Sequence, residues 1–151
     1  MKRVLPVVAA LILGACADVF AQYGAILHDA AGEKELTVGS SIRLVGTAAG
    51  TLQPEISSDA ARTALQKLRF RLPQAADSAA ITYGGFAFLV TQIFDLRGSV
   101  AYGLFPGPRS AFDELQSRGL IPRGAYAGGP VSGQDALLLV RRLVEQRGSS
   151  P

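Results

Sequence analysis

The chain carries one histidine, His28, and one cysteine, Cys16. A zinc site draws on about four His, Cys or carboxylate ligands, and this pair supplies no metal site. A Ser-His-Asp triad would have to recruit His28, and no strand-turn-helix nucleophile motif stands beside it. His28 therefore reads as a surface or packing residue. Asp113 and Glu114 are adjacent carboxylates. Neighbours on a helix diverge by about 100°, so they do not face one substrate bond as glycosidase carboxylates do; they read as solvated helix surface. The stretch Gly128-Gly129-Pro130-Val131-Ser132-Gly133 leads into a helix, whose N-terminus could hold an anion. It lacks the Lys-Ser/Thr of a phosphate-binding loop and reads first as a turn and a cap. These residues point to a binding protein without a cofactor, not to an enzyme.

Binding chemistry is concentrated in one loop. Tyr102 and Phe105 stand among Pro106 and Pro108, with Arg109 next to them. Aromatic rings can stack on the face of a sugar, and a guanidinium donates to a carboxylate or phosphate in a fixed fork. Tyr126 occupies the corresponding loop later in the chain. The competing reading is that these aromatics pin their loops to the core.

The first residues carry an address. Lys2 and Arg3 precede an apolar run from Val4 to Ala15, and small residues follow. That is the pattern of a secretory signal peptide, and it is shorter than the about 20 apolar residues that span a bilayer. Two processing sites compete. Val19-Phe20-Ala21 before Gln22 suits ordinary signal peptidase, giving a signal peptide over residues 1–21. Leu13-Gly14-Ala15-Cys16 resembles a lipobox, which would end the signal peptide at residue 15 and acylate Cys16. The expected location is the periplasm or outer envelope, with a membrane contact only through a lipid on Cys16. Either way no disulfide is available, and stability must come from packing. The net charge of +3 is spread without a Lys/Arg run, so nucleic acid is not an expected partner.

The elements that hold these residues follow from a phrase repeated three times. Leu36-Thr37-Val38-Gly39 leads to Leu44-Val45, Ile81-Thr82-Tyr83-Gly84 to Leu89-Val90, and Val131-Ser132-Gly133 to Leu139-Val140. Recurrence at a period of roughly 45–50 residues marks a repeat architecture. Thr37, Thr82 and Ser132 are each placed to cap a helix, because a hydroxyl there accepts from a free N–H of the first turn. The predicted capped helices run from Thr37 to about Ala48, from Tyr83 to about Leu96, and from Gly133 to about Arg147. The middle one is apolar nearly all round, with Phe86, Leu89, Val90, Ile93 and Phe94, as befits the centre of a domain. Two more helices precede the later copies, about Ala60 to Arg69 and about Arg109 to Arg118. Leu65 stands as far before Ile81 as Leu115 does before Val131. Residues 22–35 are expected to be an extended lead-in, 36–147 the repeat domain and 148–151 a tail. The expected fold is all-α, built from tandem helix-loop-helix units that cannot bury their apolar faces alone.

The last copy resembles the S-layer homology (SLH) domain. The residues are Ala111-Phe112-Asp113-Glu114-Leu115, Arg118-Gly119-Leu120-Ile121-Pro122, Pro130-Val131-Ser132, and Ala136-Leu137-Leu138-Leu139-Val140-Arg141-Arg142-Leu143. They follow the family's first helix, "GII" stretch, proline-bearing loop, "TRAE" phrase and amphipathic second helix. The copy at Ile81 matches the second half, and the copy at Leu36 reads as a remnant with only its capped helix. The resemblance implies a compact SLH-like helical module of three repeats about a pseudo-threefold axis. It also implies non-catalytic docking to peptidoglycan or cell-wall polysaccharide. Where the family carries Arg and Glu after the Thr, this chain has Val38 to Ser40, Tyr83 to Gly85 and Gly133 to Asp135. Asp135 is the sole acid there and no Arg is present. The alternative is therefore an interaction or assembly subunit whose partner is another envelope protein.

Overall fold

A computed structural model of the chain describes residues 24–96 and 103–148. The segment expected to be a signal peptide, with Cys16, and Tyr102 of the aromatic loop lie outside that range. Among the described residues six helices pack together: α1 (residues 24–32), α2 (Val38–Ala48), α3 (Ser58–Lys67), α4 (Tyr83–Ile93), α5 (Pro108–Ser117) and α6 (Gly133–Gly148). No sheet forms among them. Thr37 pairs with Ala80 and Thr82 with Pro130 as isolated bridges.

All three phrase copies start helices where their hydroxyls predict. The backbone of Thr37 and Thr82 is extended, and each turns its side chain back onto the first helical turn. Thr37 Oγ1 accepts from Ser40 N at 3.3 Å, Thr82 Oγ1 from Gly85 N at 3.1 Å and Ser132 Oγ from Asp135 N at 3.1 Å. Ser57 caps α3 in the same way, and Pro108 opens α5, where its missing N–H costs nothing.

The helix ends are equally regular. Gly119 after α5 has φ 72°. Its N–H donates to Gln116 O at 3.0 Å, and Leu120 N donates to Leu115 O at 2.9 Å, the paired bonds of a Schellman stop. The same pair closes α2 at Gly50-Thr51, α3 at Arg69-Phe70 and α4 at Asp95-Leu96. Arg69 and Asp95 hold the left-handed conformation at φ 64° and 51° without being glycine.

The segment before Leu36 departs from the sequence expectation. Residues 24–32 are helical, not extended. They carry Ile26 and Ala30 into the core at 6% and 2% exposure, while His28 is exposed. The first copy is thus a helix pair like the others and not a remnant. Its connection, residues 33–37, is much shorter than residues 68–82 or 118–132. At the other end Gly148 belongs to α6, so the expected tail begins one residue later.

The three copies meet at the centre through the residue before each cap. Leu36 N donates to Val131 O at 2.7 Å, Val131 N to Ile81 O at 3.1 Å, and Ile81 N to Leu36 O at 2.8 Å. The three bonds form a closed ring. Each capped helix then spends its first N–H groups on the connection before the next copy. Val38 N and Gly39 N donate to Ala79 O and Asp77 O, while Tyr83 N and Gly84 N donate to Gly129 O and Ala127 O. Gly133 N donates to Glu33 O at 3.0 Å, which carries the pattern from the last copy back to the first. These bonds satisfy helix N-termini that packing shields from water.

The phrase's small residues permit this approach. A Cβ on Gly84 would stand 3.1 Å from Ala127 O and 3.3 Å from Pro108 O. Around the ring lies one core that includes Leu36, Ile42, Leu65, Phe86, Leu89 and Leu115, all fully buried. Each such side chain contributes on the order of 1.5–3 kcal/mol relative to exposure. α4 is buried along nearly its whole length, as its all-round apolar pattern requires. No helix among the described residues is long and apolar enough to cross a membrane.

Candidate binding groove

A polar groove lies where α4, the turn after α5 and α6 converge. It encloses about 230 Å³, and its lining includes Tyr83, the turn Gly119–Pro122, Asp135, Leu138 and Arg142. Tyr83 is the first residue of α4 and Asp135 lies in the first turn of α6. The ring of backbone bonds brings those two helix starts together.

Tyr83 donates its hydroxyl to Asp135 Oδ2 at 2.7 Å, and Ser132 Oγ donates to the same oxygen at 2.9 Å. Ser132 is therefore both the cap of α6 and a clamp on Asp135. The Tyr83 ring meets Phe112 edge-on, with centroids 6.4 Å apart and planes at 73°, a favoured aromatic geometry. Burial, then the hydrogen bond to Asp135 and that carboxylate's charge, push the Tyr83 hydroxyl up to about 12. It keeps its proton at neutral pH and acts as a donor, not a base. Two turns along α6, Arg142 Nη1 donates to Gly119 O at 3.2 Å. Arg142 remains exposed, as does Leu138 at 54%. A phenol already donating to Asp135, that carboxylate, one guanidinium and an apolar side chain thus line a small open groove. The set suits a hydroxyl-rich ligand with a negative group.

Three of the residues predicted from sequence, Phe105, Arg109 and Tyr126, stand on loops that reach the start of α4. Phe105 and Tyr126 are 77% and 67% exposed. The Phe105 ring therefore does not pin its loop to the core. That loop is held instead by Ser110 Oγ, which donates to Phe105 O at 2.6 Å. Tyr126 lies over Gly129, where a Cβ would be 2.9 Å from the ring. Arg109 is exposed and pairs with Asp113 at 3.4 Å. Pro108 O and Ala127 O flank Gly84, so the loops bearing Phe105 with Arg109 and Tyr126 meet at the start of α4, beside Tyr83.

One sequence reading changes at this level, and the reading of Gly128 to Gly133 as a turn and a cap holds. Glu114 is not solvated; it is buried and pairs with Arg118 at 2.7 Å. The α6 N-terminus spends Gly133 N on Glu33 O and Asp135 N on Ser132, so it serves the fold and not an anion. Tyr83, Asp135 and Arg142 do not stand out as site residues in the sequence, because an outward polar side chain on an amphipathic helix looks the same with or without a groove. Their one sequence signal is the repeat register, which aligns the starts of α4 and α6. No group of His, Cys, Asp and Glu suited to a metal ion occurs among the described residues. No family model, curated protein or solved structure matches the chain.

Proposed function

We propose that the chain is a non-catalytic docking module of the cell envelope, exported by its N-terminal signal and built as an SLH-like ring of three helix pairs. Its ligand is cell-wall glycan, received in the groove of Tyr83, Asp135 and Arg142. The observation that carries this reading is the closed ring of Leu36, Ile81 and Val131, which joins two helix starts into one groove. A wall glycan offers sugar hydroxyls to Asp135 and carboxylate or phosphate to Arg142. Leu138 and the Tyr83 ring offer apolar surface to a sugar face. Tyr126 and Phe105 extend that surface around the start of α4.

The test is co-sedimentation of the protein from Gln22 onward with purified sacculi, with and without attached polysaccharide. Saturable binding is expected, weakened about tenfold or more by Arg142→Ala, since a hydrogen bond to a charged group contributes roughly 1.5–3 kcal/mol. Absence of binding by folded, helical protein overturns the glycan reading.

A second reading has its own observation. Leu104 and Phe105 are adjacent and 67% and 77% exposed, and exposed apolar side chains side by side suit a protein partner. In that reading the chain is an assembly subunit of the envelope. Cross-linking in cells then recovers one partner, and Phe105→Asp abolishes its recovery.

A further inference from the structure

The end of α3 turns outward what the matching end of α5 keeps neutral. Counted from Leu65 and Leu115, Leu68 matches Arg118, Arg69 matches Gly119 and Arg71 matches Ile121. Both ends close with the same Schellman bonds. At α5 the charge is paired, Arg118 with Glu114 at 2.7 Å. The left-handed residue there is glycine, and Ile121 is buried. At α3 a leucine stands at the first of these positions, 57% exposed. An arginine holds the second at φ 64°, where a side chain is strained and glycine is not. A second arginine stands exposed at the third, and Lys67, just before them, is exposed as well.

The patch is cationic without a counter-charge. From Ala60 to Ala76 the chain has four basic residues and no acid. Asp77, the next acid along, is held by Arg62. Lys67, Arg69 and Arg71 are in no ion pair among the described residues. Their backbone is fixed. Gln92 Nε2 donates to Arg71 O, and Gln92 Oε1 accepts from Arg71 N, both at 2.9 Å. Phe70 and Leu72, half-buried on either side of Arg71, pack against the core. Leu68 stands between Lys67 and Arg69 with no apolar cover. A soluble polyanion answers the cations and leaves the leucine in water. A lipid surface takes both, headgroups for the cations and acyl chains for the leucine. Long Lys and Arg stems reach headgroups from apolar surroundings.

We propose that this end of α3 docks the protein on an anionic lipid surface, with Leu68 entering the acyl boundary while Lys67, Arg69 and Arg71 meet the headgroups. Arg69 occupies the strained position for the sake of its charge. The contact uses no residue of the Tyr83 groove. Each cation near such a surface strengthens binding about fivefold, so the three together give roughly a hundredfold.

The test is flotation of the protein from Gln22 onward, which keeps every described helix and omits Cys16. The vesicles are phosphatidylcholine alone and phosphatidylcholine with phosphatidylglycerol. Binding is expected only with the anionic lipid, and it falls as salt rises. Arg69→Gly relieves the strained backbone, so it folds at least as well as the parent, and it is expected to weaken binding about fivefold. Leu68→Ser is expected to weaken it to a similar degree. Arg141→Gln removes one positive charge elsewhere, from a residue paired with Glu145, and is expected to leave binding unchanged. No binding, equal binding to both vesicles, or a loss in Arg141→Gln as large as that in Arg69→Gly overturns the proposal. So does binding indifferent to Leu68→Ser, which assigns the patch to a soluble polyanion instead. No sacculi enter this measurement, so the glycan reading and this one fail separately.

Discussion

Replacing Gly133 by Ala tests whether α1 really closes the ring. Gly133 opens α6, and its N–H donates to Glu33 O at 3.0 Å. A Cβ there would stand 2.7 Å from Ala30 C and closer still to its oxygen. Both atoms are backbone, so no side chain can rotate away; α1 itself has to retreat. Overpacking of this kind costs about 1–3 kcal/mol. Retreat also weakens a hydrogen bond contributing about 1 kcal/mol and loosens Ile26 and Ala30. The helix-propensity gain of Gly to Ala, at most about 1 kcal/mol, opposes these terms. The expected net loss is about 1–3 kcal/mol, read from urea unfolding followed by far-UV circular dichroism. Gly24→Ala in α1 is the control. Nothing lies within 4 Å of a Cβ there, so the propensity term acts alone and stabilises by about 0.5–1 kcal/mol. If Gly133→Ala is as stable as the parent, α1 does not seat on α6.

Two further substitutions follow from the same geometry. Arg69 and Asp95 end their helices in the left-handed region, where a side chain costs about 1–2 kcal/mol. Arg69→Gly and Asp95→Gly should each raise stability by about 0.5–1 kcal/mol, visible as a higher unfolding midpoint; a loss in both refutes the strain argument. Tyr83→Phe removes the hydroxyl that Asp135 accepts and should cost about 1 kcal/mol at neutral pH. Because the folded pKa of about 12 exceeds the ordinary value near 10, the hydroxyl's contribution is complete below pH 10. It is lost as pH rises from 10 through about 12. Urea midpoints of parent and Tyr83→Phe should therefore converge across that window, and parallel curves refute the Tyr83–Asp135 bond.

What could be read from sequence was local. Caps at Thr37, Thr82 and Ser132 and the stop at Gly119-Leu120 act over three to six residues, so residue type and spacing suffice to place them. The helix at residues 24–32 escaped because its sequence, Gly-Ala-Ile-Leu-His-Asp-Ala-Ala-Gly, has a narrow apolar stripe and a glycine at each end. It is held by the start of α6, more than a hundred residues away in the chain. The spacing of Leu65 before Ile81 and of Leu115 before Val131 has no counterpart in the first copy, where the short connection 33–37 puts Ala30 much closer to Leu36. Phe105 was ambiguous for a different reason. A ring beside prolines packs inward or outward according to what the loop's backbone bonds to, and here that bond comes from Ser110.

The groove's chemistry belongs to one junction of the ring. Tyr83 follows Ile81 by the interval at which Val38 follows Leu36 and Gly133 follows Val131. Asp135 follows Val131 as Ser40 follows Leu36 and Gly85 follows Ile81. The positions that pair as Tyr83 and Asp135 between the second and third copies are Val38 and Gly85 between the first and second. Between the third and first copies they are Gly133 and Ser40. Neither of those pairs has a phenol or a carboxylate. Gly133 has no side chain, because Ala30 of α1 occupies the space one would need. Closing the ring with α1 and carrying a polar side chain are thus exclusive uses of one position. The third copy uses it for closure, and the second, whose Tyr83 has room beside Phe112, carries the phenol. A ligand that reads Tyr83 and Asp135 together therefore finds them once per chain, and only when both helix pairs are docked.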